Sequence, residues 1–108
     1  MQHGNVVVGI DLGTTGAKCV IWSCEEKRVI GESSRTYPLL KPHPGWAEQN
    51  PDELFEAFVH CLRSAIRQAA VQPGRIVGIG ISTAMHSLIA VDEAGKPLTN
   101  CITWADGR

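Results

Sequence analysis

The short segment Gly13-Thr14-Thr15-Gly16 constrains this chain more than any other, because of what flanks it. Before it, the run from Asn5 to Asp11 is rich in β-branched residues and suits a buried strand; after it, Ala17 to Ser23 has the same character. Two such runs joined by a tight, glycine-bounded turn predict an antiparallel hairpin spanning about residues 6–24. The charged turn Glu25-Glu26-Lys27-Arg28 then leads into a more polar run, Val29 to Tyr37, which predicts a third strand nearer an edge. The opening of the chain therefore reads as a three-stranded antiparallel meander.

A loop rich in proline follows from Pro38 to Gly45. A helix over about 51–71 is then announced by Asn50 as N-cap, Pro51 at the first helical position and Glu53 where a capping-box carboxylate belongs. Leu54, Phe55, Phe58, Leu62, Ala65, Ile66 and Ala69 recur at helical spacing, and Pro73-Gly74 stops the pattern. Arg75 to Ser82 predicts a buried strand that crosses back parallel to the first sheet. Ser87 to Val91 and Lys96 to Trp104, around Asp92-Glu93-Ala94-Gly95, read as a further hairpin within about 82–108. The fold class is α/β, and the order β-β-β-α-β is not that of a doubly wound nucleotide fold.

Composition narrows the function classes. The chain has 108 residues, room for one modest domain, with 44% hydrophobic and 19% charged residues. Ten Lys and Arg against 11 Asp and Glu leave a formal charge of -1, without the basic stripe of a nucleic-acid binder. An anionic ligand must then be held by local geometry rather than a general positive field. No apolar run approaches membrane-spanning length and the start lacks the features of a secretory signal. Cys19, Cys24, Cys61 and Cys101 form no C-x-x-C pair and sit in apolar surroundings, as buried reduced thiols of a cytosolic protein do. The chain stops at Trp104-Ala105-Asp106-Gly107-Arg108, where a turn should lead onward, as expected of a piece of a longer protein.

The chemistry concentrates between Gly9 and Lys18. A strand ends in Asp11, a turn carries the hydroxyls of Thr14 and Thr15 between glycines, and the cation Lys18 follows. Glycines allow close approach of backbone N–H groups to an anion, hydroxyls donate to phosphate oxygens, and a carboxylate can hold Mg²⁺ through water. The pattern is neither a Walker A loop nor a dinucleotide fingerprint; Gly78-Ile79-Gly80 mimics part of the latter, but no helix signal follows it. On residue types alone, an ordinary hairpin with Thr14 and Thr15 as β-formers explains the segment equally well.

Gly9-Ile10-Asp11-Leu12-Gly13-Thr14-Thr15-Gly16-Ala17-Lys18 closely resembles the first phosphate motif of the actin, Hsp70 and sugar-kinase superfamily. The resemblance implies a partial ribonuclease-H-like lobe, with Gly13, Thr14, Thr15 and Lys18 on the phosphates of ATP and Asp11 positioning hydrated Mg²⁺. Three further segments resemble the FGGY carbohydrate kinases. They are Gly45-Trp46-Ala47-Glu48 with Pro51, the pair Met85-His86 after a strand, and Trp104-Ala105-Asp106-Gly107-Arg108, like that family's W-x-D-x-R. On their own, a histidine after a strand is usually a satisfied polar residue and Met85 would be core filler. The family likeness, closest to its gluconate kinases, implies instead that Met85, His86, Trp104, Asp106 and Arg108 contact the acceptor. Trp104 would offer a flat wall, with Asp106 and Arg108 on its side of an extended segment and Arg108 free to pair with a substrate carboxylate. Trp46 and Trp22 are expected to be packing residues, and Glu48 to brace the loop outside the site.

The implied activity is phosphorylation of a small sugar or sugar acid, first D-gluconate to 6-phosphogluconate, by a longer cytoplasmic parent. The family's general base is an aspartate in a later segment, so none is assigned here, and the adenosine pocket also lies elsewhere. A kinase for xylulose or another polyol is the near alternative. A chaperone-type ATPase and an inactive fragment are the others. An uncovered sheet face is expected to invite association into a homodimer.

Overall fold

The computed structural model describes residues 4–108. Val6–Leu12 (β1) and Gly16–Ser23 (β2) form the expected hairpin, in register from Val6 opposite Ser23 to Leu12 opposite Ala17. Arg28–Thr36 (β3) adds antiparallel to β2 and lies at the sheet edge. After the proline-rich loop come a two-residue strand, Glu48–Gln49 (β4), and the helix Pro51–Ala69 (α1). Ile76–Thr83 (β5) then returns parallel to β1, giving the order β3-β2-β1-β5. Cys101–Ile102 (β6) pairs antiparallel with β4 in a second, small sheet.

Local chemistry explains α1. The Asn50 side chain accepts from the Asp52 amide at 2.9 Å, Pro51 opens the helix, and Asp52 and Glu53 complement the positive end of its dipole. The C-terminal stop differs from expectation. Ala70 takes the left-handed conformation (φ 53°) and its amide caps Arg67 O, three residues before Pro73, which instead starts a short 3-10 turn.

The buried stripe of α1 is Ala57, Cys61, Ala65 and Ala69, spaced four apart, with Leu54, Phe58, Leu62 and Ile66 partly buried beside it. Phe55, expected on the core face, is exposed and stacks on Phe58. Small residues on this seam let the helix lie close over β2 and β3, against Val6, Val8, Ile10, Ala17, Cys19 and Ile21. Trp22, expected to be packed, points away from the helix and is half-exposed. Three of the four free cysteines are buried, while Cys24 is exposed. Burial, then the neighbouring Cys61, pushes the Cys19 thiol up to about 11, so it stays protonated and unreactive.

The last third is less regular than the expected hairpin. Its turn is built as anticipated: the Asp92 carboxylate accepts from the amides of Ala94 and Lys96, and Asp92 N donates to Lys96 O. Its arms meet only in single bridges, Leu88 with Ile102 and Val91 with Pro97.

Candidate functional site

Because β1 and β5 run parallel and in register, their C-terminal ends lie side by side, Asp11 next to Ser82 and Leu12 next to Thr83. The Ala84 amide extends the ladder by donating to Leu12 O at 2.9 Å. The turn after β1 (Gly13 to Thr15) and the loop after β5 (Met85, His86) therefore emerge at the same end of the sheet.

Several groups fix the first turn. The Gly13 amide donates to Gly16 O at 3.0 Å, so it closes the turn rather than pointing at an anion. The buried Tyr37 hydroxyl donates to Gly13 O, and the Tyr37 amide donates to Thr15 O at 3.2 Å. Burial, then the Asp11 carboxylate, raises the Tyr37 phenol above its ordinary value, which keeps it a donor. A Cβ on Gly16 would come within 2.7 Å of Arg35 O, so this close approach of β3 requires glycine.

On the sheet face away from α1, Asp11 and Lys18 are cross-strand partners and both are exposed. With Gly9, Val20, Gly80 and Ser82 they line an open depression of about 500 Å³, whose floor stays low because Gly9 and Gly80 bear no side chains. The depression sets one carboxylate and one ammonium beside a largely apolar floor. Thr15 is exposed in the turn that joins β1 to β2.

Trp104 reaches the same turn from the far end of the chain. Its indole N–H donates to the Thr14 hydroxyl at 2.8 Å, while 58% of the residue stays exposed. Met85 and His86 are exposed beside the end of β5. His86 adopts a left-handed backbone (φ 61°), an uncommon conformation for a residue with a side chain and one that gathers at functional sites.

Asp106 and Arg108 depart from expectation. The segment after Thr103 turns instead of extending, with Asp106 N donating to Thr103 O at 3.0 Å, so the two do not share a strand face with Trp104. The Arg108 guanidinium is already paired within the chain, to Asp106 at 2.6 Å and Glu48 at 2.5 Å, and lies 3.7 Å over the Trp46 ring. It is not a free fork awaiting a substrate carboxylate. The Asp106 side chain is only 4% exposed and accepts from the Ala47 amide at 2.8 Å. Arg108 holds the Asp106 carboxyl well below the usual range and, with Asn100, lowers that of Glu48. Glu48 thus belongs to the brace, as expected of it, and Asp106 and Arg108 join it there. Trp46 packs as expected, edge-on to His43 at 4.3 Å.

Two residues the sequence reading passed over hold the turn, Tyr37 and Gln49. Gln49 is 5% exposed and its amide nitrogen donates to Thr14 O at 2.6 Å. Neither carries a local pattern; both matter because of groups 22 or more residues away in the chain. A model of the FGGY family of carbohydrate kinases, N-terminal domain, matches residues 6–108. The chain belongs to this family.

The FGGY domain is 48% identical over 102 residues to a gluconokinase of Bacillus subtilis, covering 94% of this chain and 19% of that protein. Among solved structures, gluconate kinase from Lactobacillus acidophilus superposes with a TM-score of 0.83 at 33% identity, over 94% of this chain and 20% of that one. Xylulose kinase from Rhodospirillum rubrum gives 0.86 at 27% identity, over 96% and 21%. The FGGY chain therefore spans about one fifth of the length of these relatives. Its mixed sheet and helix α1 are part of the actin- and Hsp70-like fold of the sugar kinases. Among the described residues no helix is long and apolar enough to cross a membrane.

Proposed function

We propose that the protein carrying this domain is a cytoplasmic kinase that transfers the γ-phosphoryl of ATP to a sugar acid, with D-gluconate yielding 6-phosphogluconate. The observation that carries this reading is the convergence at one end of the sheet of a fixed turn bearing hydroxyls, a carboxylate and an ammonium on facing strand positions, and an exposed indole bonded to that turn. The 48% identity to a gluconokinase favours gluconate over other acceptors.

Phosphoryl transfer depends on positioning and charge neutralisation. Thr14, Thr15 and Lys18 would steady the transferring group, and Gly13 would shape the turn. Asp11, an exposed carboxylate at the rim of the depression, suits an ion that keeps most of its water shell. Mg²⁺ bound there would neutralise phosphate charge. Met85, His86 and Trp104 would hold the acceptor, the indole face covering its C–H surface. Asp106 and Arg108 act on the acceptor indirectly, by bracing the segment that delivers Trp104. The general base and the adenosine pocket belong to parts of the protein outside these residues, so the 108-residue chain alone is expected to phosphorylate no sugar.

A polyol kinase is the second reading, supported by the TM-score of 0.86 to xylulose kinase, and it uses the same parts. The test is ADP release by the full-length protein with gluconate, xylulose and glycerol. Gluconate is expected to give the highest kcat/KM. In the same protein, Thr14→Ala and Lys18→Ala are each expected to lower kcat about tenfold or more, because they remove stabilisation felt mainly in the transition state. Unchanged kinetics in both variants would count against the phosphate turn.

A further inference from the structure

Thr14 is gripped at two points by donors from the small second sheet and the segment that follows it. Gln49 of β4 donates its side-chain N–H to the Thr14 carbonyl at 2.6 Å, and Trp104, two residues past β6, donates its indole N–H to the Thr14 hydroxyl at 2.8 Å. Only the amide nitrogen of Gln49 can serve a carbonyl, and an indole can only donate, so the direction of both bonds is chemically fixed. A threonine hydroxyl has one proton. With one lone pair occupied by the indole, that proton points away from Trp104 and is available to another acceptor.

The platform behind these two donors is tied together by several bonds. β4 and β6 pair Gln49 with Cys101 and Glu48 with Ile102. The Thr103 amide and hydroxyl both donate to Ala47 O at 3.0 Å, and the Gly107 amide donates to Gly45 O at 2.6 Å. The Glu48–Arg108–Asp106 ion pairs close the far end. Gln49 and Trp104 are therefore carried by one cross-linked unit.

Resting on the kinase reading above, we propose that Gln49 and Trp104 are positioning residues that fix the Thr14 hydroxyl as a donor toward the transferring phosphoryl group. Trp104 would then serve both halves of the reaction at once, its ring face touching the acceptor and its N–H aiming a phosphate contact. A sugar seated on the indole would be registered directly against the phosphate turn.

A double-mutant cycle in the full-length protein tests this. Trp104→Phe keeps a flat apolar wall and removes the N–H; Thr14→Val removes the hydroxyl at nearly constant shape. Trp104→Phe is expected to lower kcat about five- to tenfold, the rate equivalent of one net hydrogen bond, with sugar KM changed by less than about twofold. In the Thr14→Val background, Trp104→Phe is expected to cost nothing further, since its target is gone. Losses that multiply, or an effect confined to KM, overturn the proposal and leave Trp104 as a wall only.

Gln49→Glu supplies a readout that general loosening would not move. An ionised carboxylate cannot donate to Thr14 O, but a protonated one can. At a buried position its pKa is raised, so the variant should be impaired at about pH 8 and recover toward wild type near pH 6. A pH profile parallel to wild type overturns the role given to Gln49. Thermal midpoints of each variant separate misfolding from misplacement. If the wild-type protein phosphorylates no sugar at all, the kinase reading fails and this inference with it; if it is active but the cycle is additive, only the inference fails.

Discussion

At the scale of single residues, the Arg108 cluster shows how identity and role part company. Its residue types suit a polyol or carboxylate ligand, yet Asp106 and Glu48 hold Arg108 inside the chain, and their folded carboxyl pKa values are depressed by it. A depressed folded pKa contributes stability that is fully present above the ordinary carboxylate range of about 4. As pH falls below that range, the unfolded chain takes up protons that the folded chain still refuses, and the contribution is lost as pH approaches the folded values. Asp106→Asn should therefore be less stable than wild type at neutral pH, with the gap closing on acidification. Urea midpoints across a pH series would check this, and a gap independent of pH would mean that packing, not charge, holds Asp106. Asp11, Thr14, Thr15 and Lys18 were legible as a group because four chemistry-bearing residues fall within one short turn and its flanks. Gln49 and Tyr37 were not, since they act through bonds to backbone carbonyls that only the folded chain brings near.

At the scale of elements, what was legible follows how local the forces are. The meander, α1 and the parallel return of β5 were written in β-branched runs, turn residues and caps, all acting within a few positions of one another. The pairing of β4 with β6 joins residues more than 50 positions apart, and nothing in either dipeptide announces it. The closeness of α1 to the sheet was also hidden, because it depends on small residues from two elements at once. Gly31 of β3 sits against the helix so tightly that an added Cβ would lie 2.5 Å from Ala65 O and 3.0 Å from the Ala69 amide nitrogen. Backbone cannot yield as a side chain tip can, so Gly31→Ala must push the helix outward and is expected to cost roughly 1–3 kcal/mol. Gly74→Ala, where nothing lies within 4 Å, is the control and should stay within about 0.5 kcal/mol of wild type. Denaturant midpoints of the two variants decide the matter; equal stability would show that α1 is free to shift.

At the scale of the whole molecule, the sheet is paved unevenly. α1 lies mainly over β2 and β3, and among the described residues the same face of β5 is left exposed beyond Ile76. Ile79 and Ile81 lie beside Val8 and Ile10 in the parallel register, yet they are 54% and 58% exposed where their neighbours are buried. β5 is also an edge strand, so its outer backbone groups can accept a further strand. Apolar side chains next to an open edge favour association whenever no other surface covers them. The 108-residue chain on its own should therefore associate reversibly as its concentration rises. The double substitution Ile79→Lys and Ile81→Lys should suppress this with little loss of stability, because both side chains are already largely in water and like charges from two copies would face each other. Sedimentation velocity over a concentration series, with circular dichroism to confirm the fold, separates the outcomes. If the unsubstituted chain remains a monomer throughout, the exposed face is too small or too twisted to pair; if the double variant associates equally well, the contact lies elsewhere on the molecule.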